Sequence, residues 1–247
     1  MAAVNQIAPP APVAEAVSHN QVGQKLGRKG QQTRERILSA MLELLAEVDG
    51  PPVTLTAVAK EAKVRLPNLY LYFPDMGDLL LAALERVMAT ADDAFVDKLR
   101  ERWPDEGLRE ACLAFMQAYH QFWKRHARLL HMRNAFADAG DLRVFRYRLE
   151  VTRPLIDLLL DQMDCGDDRL AARNGHAATV LLTGLERLAT VVTNPQFRVM
   201  TGAFGEVDQA AHVQCLLEAE AEVIALTVGH RRRLAVPKAR HNAAVVR

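Results

Sequence analysis

The chain has 247 residues, half of them hydrophobic and a quarter charged, so it can bury one large core or two small ones and is not a low-complexity chain. No apolar run approaches the roughly 18 residues that a membrane-spanning helix needs, and the three cysteines, Cys112, Cys165 and Cys215, lack the paired spacing of a metal site or a disulfide framework. A net charge of +1 conceals basic ends: residues 19–36 sum to +4 and residues 230–247 to +6, leaving −8 on residues 37–229.

Met1 to Val17 is rich in Ala and Pro and lacks the charged start and continuous apolar stretch of a signal peptide, so residues 1–27 are expected to form a disordered tail. Unpaired thiols fit a reducing, cytoplasmic setting. The basic ends fit either a polyanionic partner or a need for solubility.

Helical periodicity then runs through the chain. Ile37, Leu38, Met41, Leu44, Leu45 and Val48 share one face, with Thr33 as the expected N-cap and Asp49-Gly50-Pro51-Pro52 as the stop. Short patterns at 55–62 and 66–73 follow, and Pro74-Asp75 interrupts them. A long helix is predicted from Leu79 to Leu99, ended by Trp103-Pro104, and another carries Leu108 to Trp123. Further helices are predicted over 127–136 and 142–163, the latter with an expected kink at Pro154, then over 169–193 and 207–229. The pattern predicts about nine helices, with no alternating strand signal and no internal repeat.

The informative stretch is Thr54 to Phe73, TLTAVAKEAKVRLPNLYLYF. Thr54 caps a first short helix, and Leu55 and Val58 point inward. Ala59 is small where a second helix must cross, and Val64 and Leu69 close the miniature core. Two short helices joined by a tight turn make a helix-turn-helix, whose second helix enters the DNA major groove.

Thr33-Arg-Glu-Arg-Ile-Leu, the Thr54–Phe73 stretch, then Pro74 and Leu79-Leu80, resemble the DNA-binding domain of the tetracycline-repressor (TetR) family. The resemblance covers roughly residues 28–84, and Leu69-Tyr-Leu-Tyr-Phe73 is its most recognisable part. It implies an all-helical protein with a DNA-binding domain at 28–84, a larger ligand-binding and dimerisation domain at 85–230 and a basic tail at 231–247. Arg65, Leu66, Pro67 and Asn68 would begin the recognition helix, Tyr70 and Leu71 would face the groove, and Tyr72 would reach a phosphate. Thr54 and Thr56 would lie near the backbone, as hydroxyls and helix N-termini do at phosphates.

Three departures stand out. Lys63 occupies a turn position usually held by Gly, Met76 one often held by a phosphate-binding Lys, and residues 37–80 carry three bases against six acids. The arm with Lys25, Arg28, Lys29 and Arg34 is therefore expected to supply much of the attraction to DNA. With Leu66 and Leu71 apolar, Arg65 and Asn68 are expected to carry the direct readout.

Elsewhere, plain packing competes with function. Tyr70 and Tyr72 are expected to be exposed, because Leu69 and Phe73 already fill the core. Phe115, Met116, Tyr119, Trp123, Met132 and Phe136 are either ordinary core or the lining of an effector pocket. By resemblance the last two long helices form a dimer interface through Val180, Leu181, Gly184, Leu188, Leu216 and Val223. Gly184 equally fits an ordinary crossing within one chain. His120, His126 and His131 are badly spaced for a metal, Asp164, Asp167 and Asp168 read as solvated turn acids, and Arg231-Arg232-Arg233 reads as a frayed end.

The expectation is a homodimeric, operator-binding transcription regulator, more naturally a repressor than an activator. A small molecule would release it by changing the spacing of two reading heads. No cofactor, catalytic residue or metal ligand is expected. The rivals are a helix-turn-helix protein whose body binds a protein partner, and a small-molecule binding protein or enzyme with an incidental helix-turn-helix.

Overall fold

A computed structural model describes residues 26–47, 50–164, 168–202 and 208–235. The expected N-terminal tail up to Lys25, the residues after Ala235, and Cys165, Gly166 and Asp167 lie outside the described residues. Among the described residues there are eleven α-helices, one π-helical turn and no strand. They fall into two compact units, Met1–Ala82 and Ala83–Arg247.

The first unit contains α1 (Arg28–Ala46), α2 (Leu55–Glu61), α3 (Leu66–Tyr70) and the start of α4 (Met76–Met88). Its core is Ile37, Met41, Val58, Leu69, Phe73, Leu79 and Leu80, all nearly inaccessible. Helix α1 begins five residues before Thr33, so Thr33 is not its N-cap. The Thr33 hydroxyl donates instead to the Lys29 carbonyl (3.0 Å), the back-bonding open to a threonine inside a helix. Asp75 caps α4, its Oδ1 accepting from the Asp78 N–H (2.9 Å).

In the second unit the predicted long helix is broken. Helix α4 ends at Met88, where the Thr90 hydroxyl donates to the Val87 carbonyl (2.7 Å), and a π-helical turn, Asp92–Val96, leads into α5 (Asp97–Arg100). The sequence pattern stays apolar across the break because Phe95 and Leu99 are both buried. Then come α6 (Leu108–Arg125), α7 (Ala127–Asp138), α8 (Leu142–Asp161), α9 (Asp168–Val192), the short α10 (Phe197–Gly202) that the pattern misses, and α11 (Gln209–Ala235). Asp141 caps α8 by accepting from the Arg143 and Val144 N–H groups, and α8 continues through Pro154 to Asp161.

Helices α6 and α11 run antiparallel, with Leu108 beside Gly229 and Gln117 donating to Gln214. Phe95, Phe115, Tyr119 and Phe122 form an aromatic cluster, with the Phe95 and Tyr119 rings perpendicular at 5.0 Å.

The C-terminal arginines are not frayed. Helix α11 runs through them to Ala235, and the Arg232 side chain is only 6% exposed. Its Nε donates to the Gln162 carbonyl (2.7 Å), and its Nη1 to the Trp103 carbonyl (2.9 Å) and to Asp105 (2.6 Å). The Gln162 side chain completes the knot, donating to the Leu99 and Glu101 carbonyls and accepting from the Trp103 N–H. Asp164, expected to be solvated, takes a bidentate pair from Arg102 (2.7 Å twice). Arg102 and Arg232 hold the Asp164 and Asp105 carboxyls below their ordinary range, the first chiefly through Arg102 and the second chiefly through Arg232.

Candidate nucleic-acid interface

The reading element is built by local chemistry. The Thr54 hydroxyl accepts from the Ala57 N–H (3.1 Å) and starts α2. Helix α2 stops at a Schellman turn: the Val64 N–H donates to the Ala59 carbonyl (2.9 Å) and the Lys63 N–H to the Lys60 carbonyl (3.1 Å). That motif demands a left-handed residue after the cap, and Lys63 supplies it at φ 53°. The lysine thus stands in the conformation that usually selects glycine. Ala59, 3% exposed, is buried as a close crossing of α2 and α3 requires.

Arg65 is the N-cap of α3, and Pro67 lies in its first turn, where a missing N–H does no harm. Leu69 alone of α3 is fully buried. The opposite face presents Arg65, Pro67, Asn68, Tyr70 and Leu71 to solvent, with Tyr70 42% and Leu71 47% exposed. Leu66 and Tyr72 are half-buried, so of the two tyrosines only Tyr70 is fully on the surface. Thr54 and Thr56 are exposed at the start of α2, and Arg28 and Lys29 in the first turn of α1. The Arg34 guanidinium lies over the Phe73 ring, 4.9 Å from its centroid.

A five-residue helix with one buried anchor, three exposed side chains and an exposed residue at each cap, entered through a Schellman turn, is a surface for reading a groove. Residues 37–83 match the family model described as bacterial regulatory proteins, tetR family. The match spans α2 and α3 with parts of α1 and α4. A tetR-family transcriptional regulator from Streptomyces coelicolor shares its fold, with TM-score 0.56 at 20% identity over 85% of this chain and 90% of that one. A TetR-like transcriptional regulator from Rhodococcus sp. RHA1 aligns with TM-score 0.45 at 22% identity, over 80% and 97% of the two chains. No curated protein matches the sequence.

The chain thus carries a tetR-type helix-turn-helix in its first unit and a wholly helical second unit among the described residues. Among the described residues, no helix is long and apolar enough to cross a membrane, and no three His, Cys, Asp or Glu side chains converge as metal ligands.

The second unit holds two other regions that the sequence suggests are functional. Of the six residues expected at the dimer interface, Val180 (71% exposed), Val223 (50%) and Gly184 are on the surface, and Leu188 and Leu216 are half-buried. Leu181 is 6% exposed and belongs to the core of its own unit, which removes it from that face. Gly184 also meets its own chain: a Cβ there would stand 3.1 Å from a Glu220 carboxylate oxygen on α11. Burial raises the Glu220 carboxyl above its ordinary range.

Of the six residues expected to line a pocket, Tyr119 and Trp123 bound a partly open cavity of about 30 Å³ together with Phe95, Arg133, Thr152 and Glu186. Phe115 and Met116 are packed solidly behind it, and Met132 and Phe136 stand away from it, because their α7 turns Leu130 and Arg133 inward instead. A larger groove of about 630 Å³ lies open between α6 and the end of α11, past Arg102, Glu222 and Arg233.

Sequence reasoning missed the charged wall of this cavity. Arg133 donates to Glu186 and to Asn134 Oδ1, and Arg148 donates to the other Glu186 oxygen (3.0 Å). Burial lowers the Arg133 pKa, and burial raises the Tyr119 hydroxyl's. The one clue in the sequence is that Arg133 occupies a core-facing position of an amphipathic helix.

Proposed function

We propose that this protein is a homodimeric repressor that holds a near-palindromic operator and releases it when a small molecule enters the second unit. The observation that carries the DNA half is the solvent-facing surface of α3, where Arg65 and Asn68 offer hydrogen bonds to base edges while Leu69 anchors the helix. Tyr70 and Leu71 complete the groove-facing set, Tyr72 and the two threonines take phosphates, and Arg28, Lys29 and Arg34 add positive charge from α1. Two such heads would address half-sites about one helical turn apart.

Dimerisation is supported by the exposed Val180 and Val223 on α9 and α11, apolar surface that a second copy would remove from water. Effector binding is supported by the small, partly open cavity with apolar and charged walls in the second unit. The reading assigns no catalytic residue.

The test is binding of the purified full chain to DNA flanking its own gene, at two salt concentrations and against random competitor. Saturable binding that survives competitor and leaves a palindromic footprint is the expected result. Binding that disappears at modest salt and ignores sequence would reject operator recognition there. Sedimentation of the wild type and of Val180→Asp/Val223→Asp tests the dimer: the wild type should run as two copies and the variant as one.

A further inference from the structure

Two cations face one carboxylate in the interior of the second unit. The Arg133 side chain is 7% exposed, Arg148 29% and Glu186 15%, and both guanidiniums pair with the same Glu186 carboxylate. Arg148 also pairs with Asp138 at 3.9 Å, a contact that water screens because Asp138 is 76% exposed. Asn134 gives Arg133 a neutral acceptor at 2.9 Å and 3.1 Å, and the Trp123 ring lies 5.5 Å from the Arg133 guanidinium. The cluster sets two guanidiniums against one part-buried carboxylate, Arg133 and Glu186 in the cavity wall and Arg148 reaching Glu186 from its more exposed side, an arrangement that a second carboxylate would complement.

We infer that this cavity is the seat of a small organic carboxylate, its head balancing Arg133 and Arg148 beside Glu186 and its apolar body lying against Phe95, Trp123 and Leu155. Guanidinium groups bind carboxylates through paired N–H donors, and the apolar walls exclude the water that would weaken the pair. The inference rests on the reading of the second unit as the effector-binding unit, and names the chemical class of the effector.

The cavity as it stands holds about one water molecule, so its walls must part. Two of them depart from a regular α-helical ladder. Pro154 lies between Thr152 and Leu155 on α8 and has no N–H to give the Glu150 carbonyl. Phe95 sits in the π-helical turn, Asp92–Val96. Both segments can shift without breaking a regular ladder.

The experiment uses the full chain with two matched sets, phenylacetate, phenylacetamide and phenethylamine, and hexanoate and hexanamide, read by calorimetry and thermal unfolding. At least one carboxylate should bind about tenfold more tightly than its amide, and the amine should not bind. Glu186→Gln, which removes the internal anion, should tighten carboxylate binding about tenfold, a gain that misfolding does not produce. Arg148→Met should weaken it about tenfold while circular dichroism shows an unchanged helical fold. Equal binding of acid and amide, no binding of either acid, or indifference to Glu186→Gln would overturn the proposal. DNA release is measured separately. A carboxylate that binds without releasing the operator defeats the effector reading and leaves the seat standing; a neutral compound that releases DNA while both acids fail does the reverse.

Discussion

Replacing Arg232 by Met keeps the aliphatic stem and removes every donor. The Gln162 and Trp103 carbonyls, which now accept at 2.7 Å and 2.9 Å, would lose a charged partner inside the second unit. Each buried acceptor left unpaired costs about 1–3 kcal/mol. Not having to bury a guanidinium returns part of this. The exposed Asp105 carboxylate adds little, because water screens it. The expected net loss is about 2–4 kcal/mol, which for a unit of this size lowers the melting temperature by about 4–16 °C. Thermal unfolding followed by circular dichroism, with fluorescence of Trp103 as a local probe, measures it. Arg233→Met, one residue along and exposed, is the control and should change stability by less than about 0.5 kcal/mol. An Arg232→Met protein that melts within about 1 °C of this control would refute the account of α11's end as a buried anchor.

Lys63→Gly should stabilise the first unit by about 0.5–1 kcal/mol, since a left-handed lysine costs about 1–2 kcal/mol and the extra backbone freedom of glycine returns about half of that on unfolding; a lower melting temperature would contradict the Schellman geometry. Arg65→Ala should weaken operator binding by about 1–3 kcal/mol and relax specificity at one base pair in a competition assay, whereas equal weakening on every sequence would make Arg65 a phosphate contact. Asp164 is held below its ordinary pKa of 3.8, first by Arg102, so its contribution is present above that value and drains away as pH falls through the lowered one. Asp164→Asn should therefore be less stable than wild type at about pH 5, with the gap shrinking as pH falls through the lowered value; a gap that does not shrink in acid would assign the loss to packing.

What could be read in the sequence was local. Thr54 announces α2, and the Thr54–Phe73 spacing announces the helix-turn-helix, because caps, Schellman turns and a seven-residue helix depend on neighbours a few positions apart. The left-handed Lys63 was foreseeable for the same reason. The break after Met88 was not, since a π-helical turn preserves the burial of Phe95 and Leu99 and so leaves the apolar pattern intact. Nor was the charged cavity wall, whose members meet across separations of 53 and 38 positions. Three adjacent arginines look like a solvated tail until Gln162 and Trp103 are found beside the middle one.

The antiparallel pairing of α6 with α11 also sets an order of events. Leu108 and Gly229 are neighbours in space but lie at opposite ends of the second unit's sequence, and Arg232 closes the same distance at Trp103. Contacts so remote along the chain form late. While the protein is being made, the face of α6 that α11 will cover stays bare until α11 itself has been synthesised, more than 80 residues after α6. The first unit, assembled from residues 28–82, is complete long before that. A nascent chain therefore passes through a stage with a finished reading head attached to a body that still exposes apolar surface, the stage at which chaperones and aggregation compete for it.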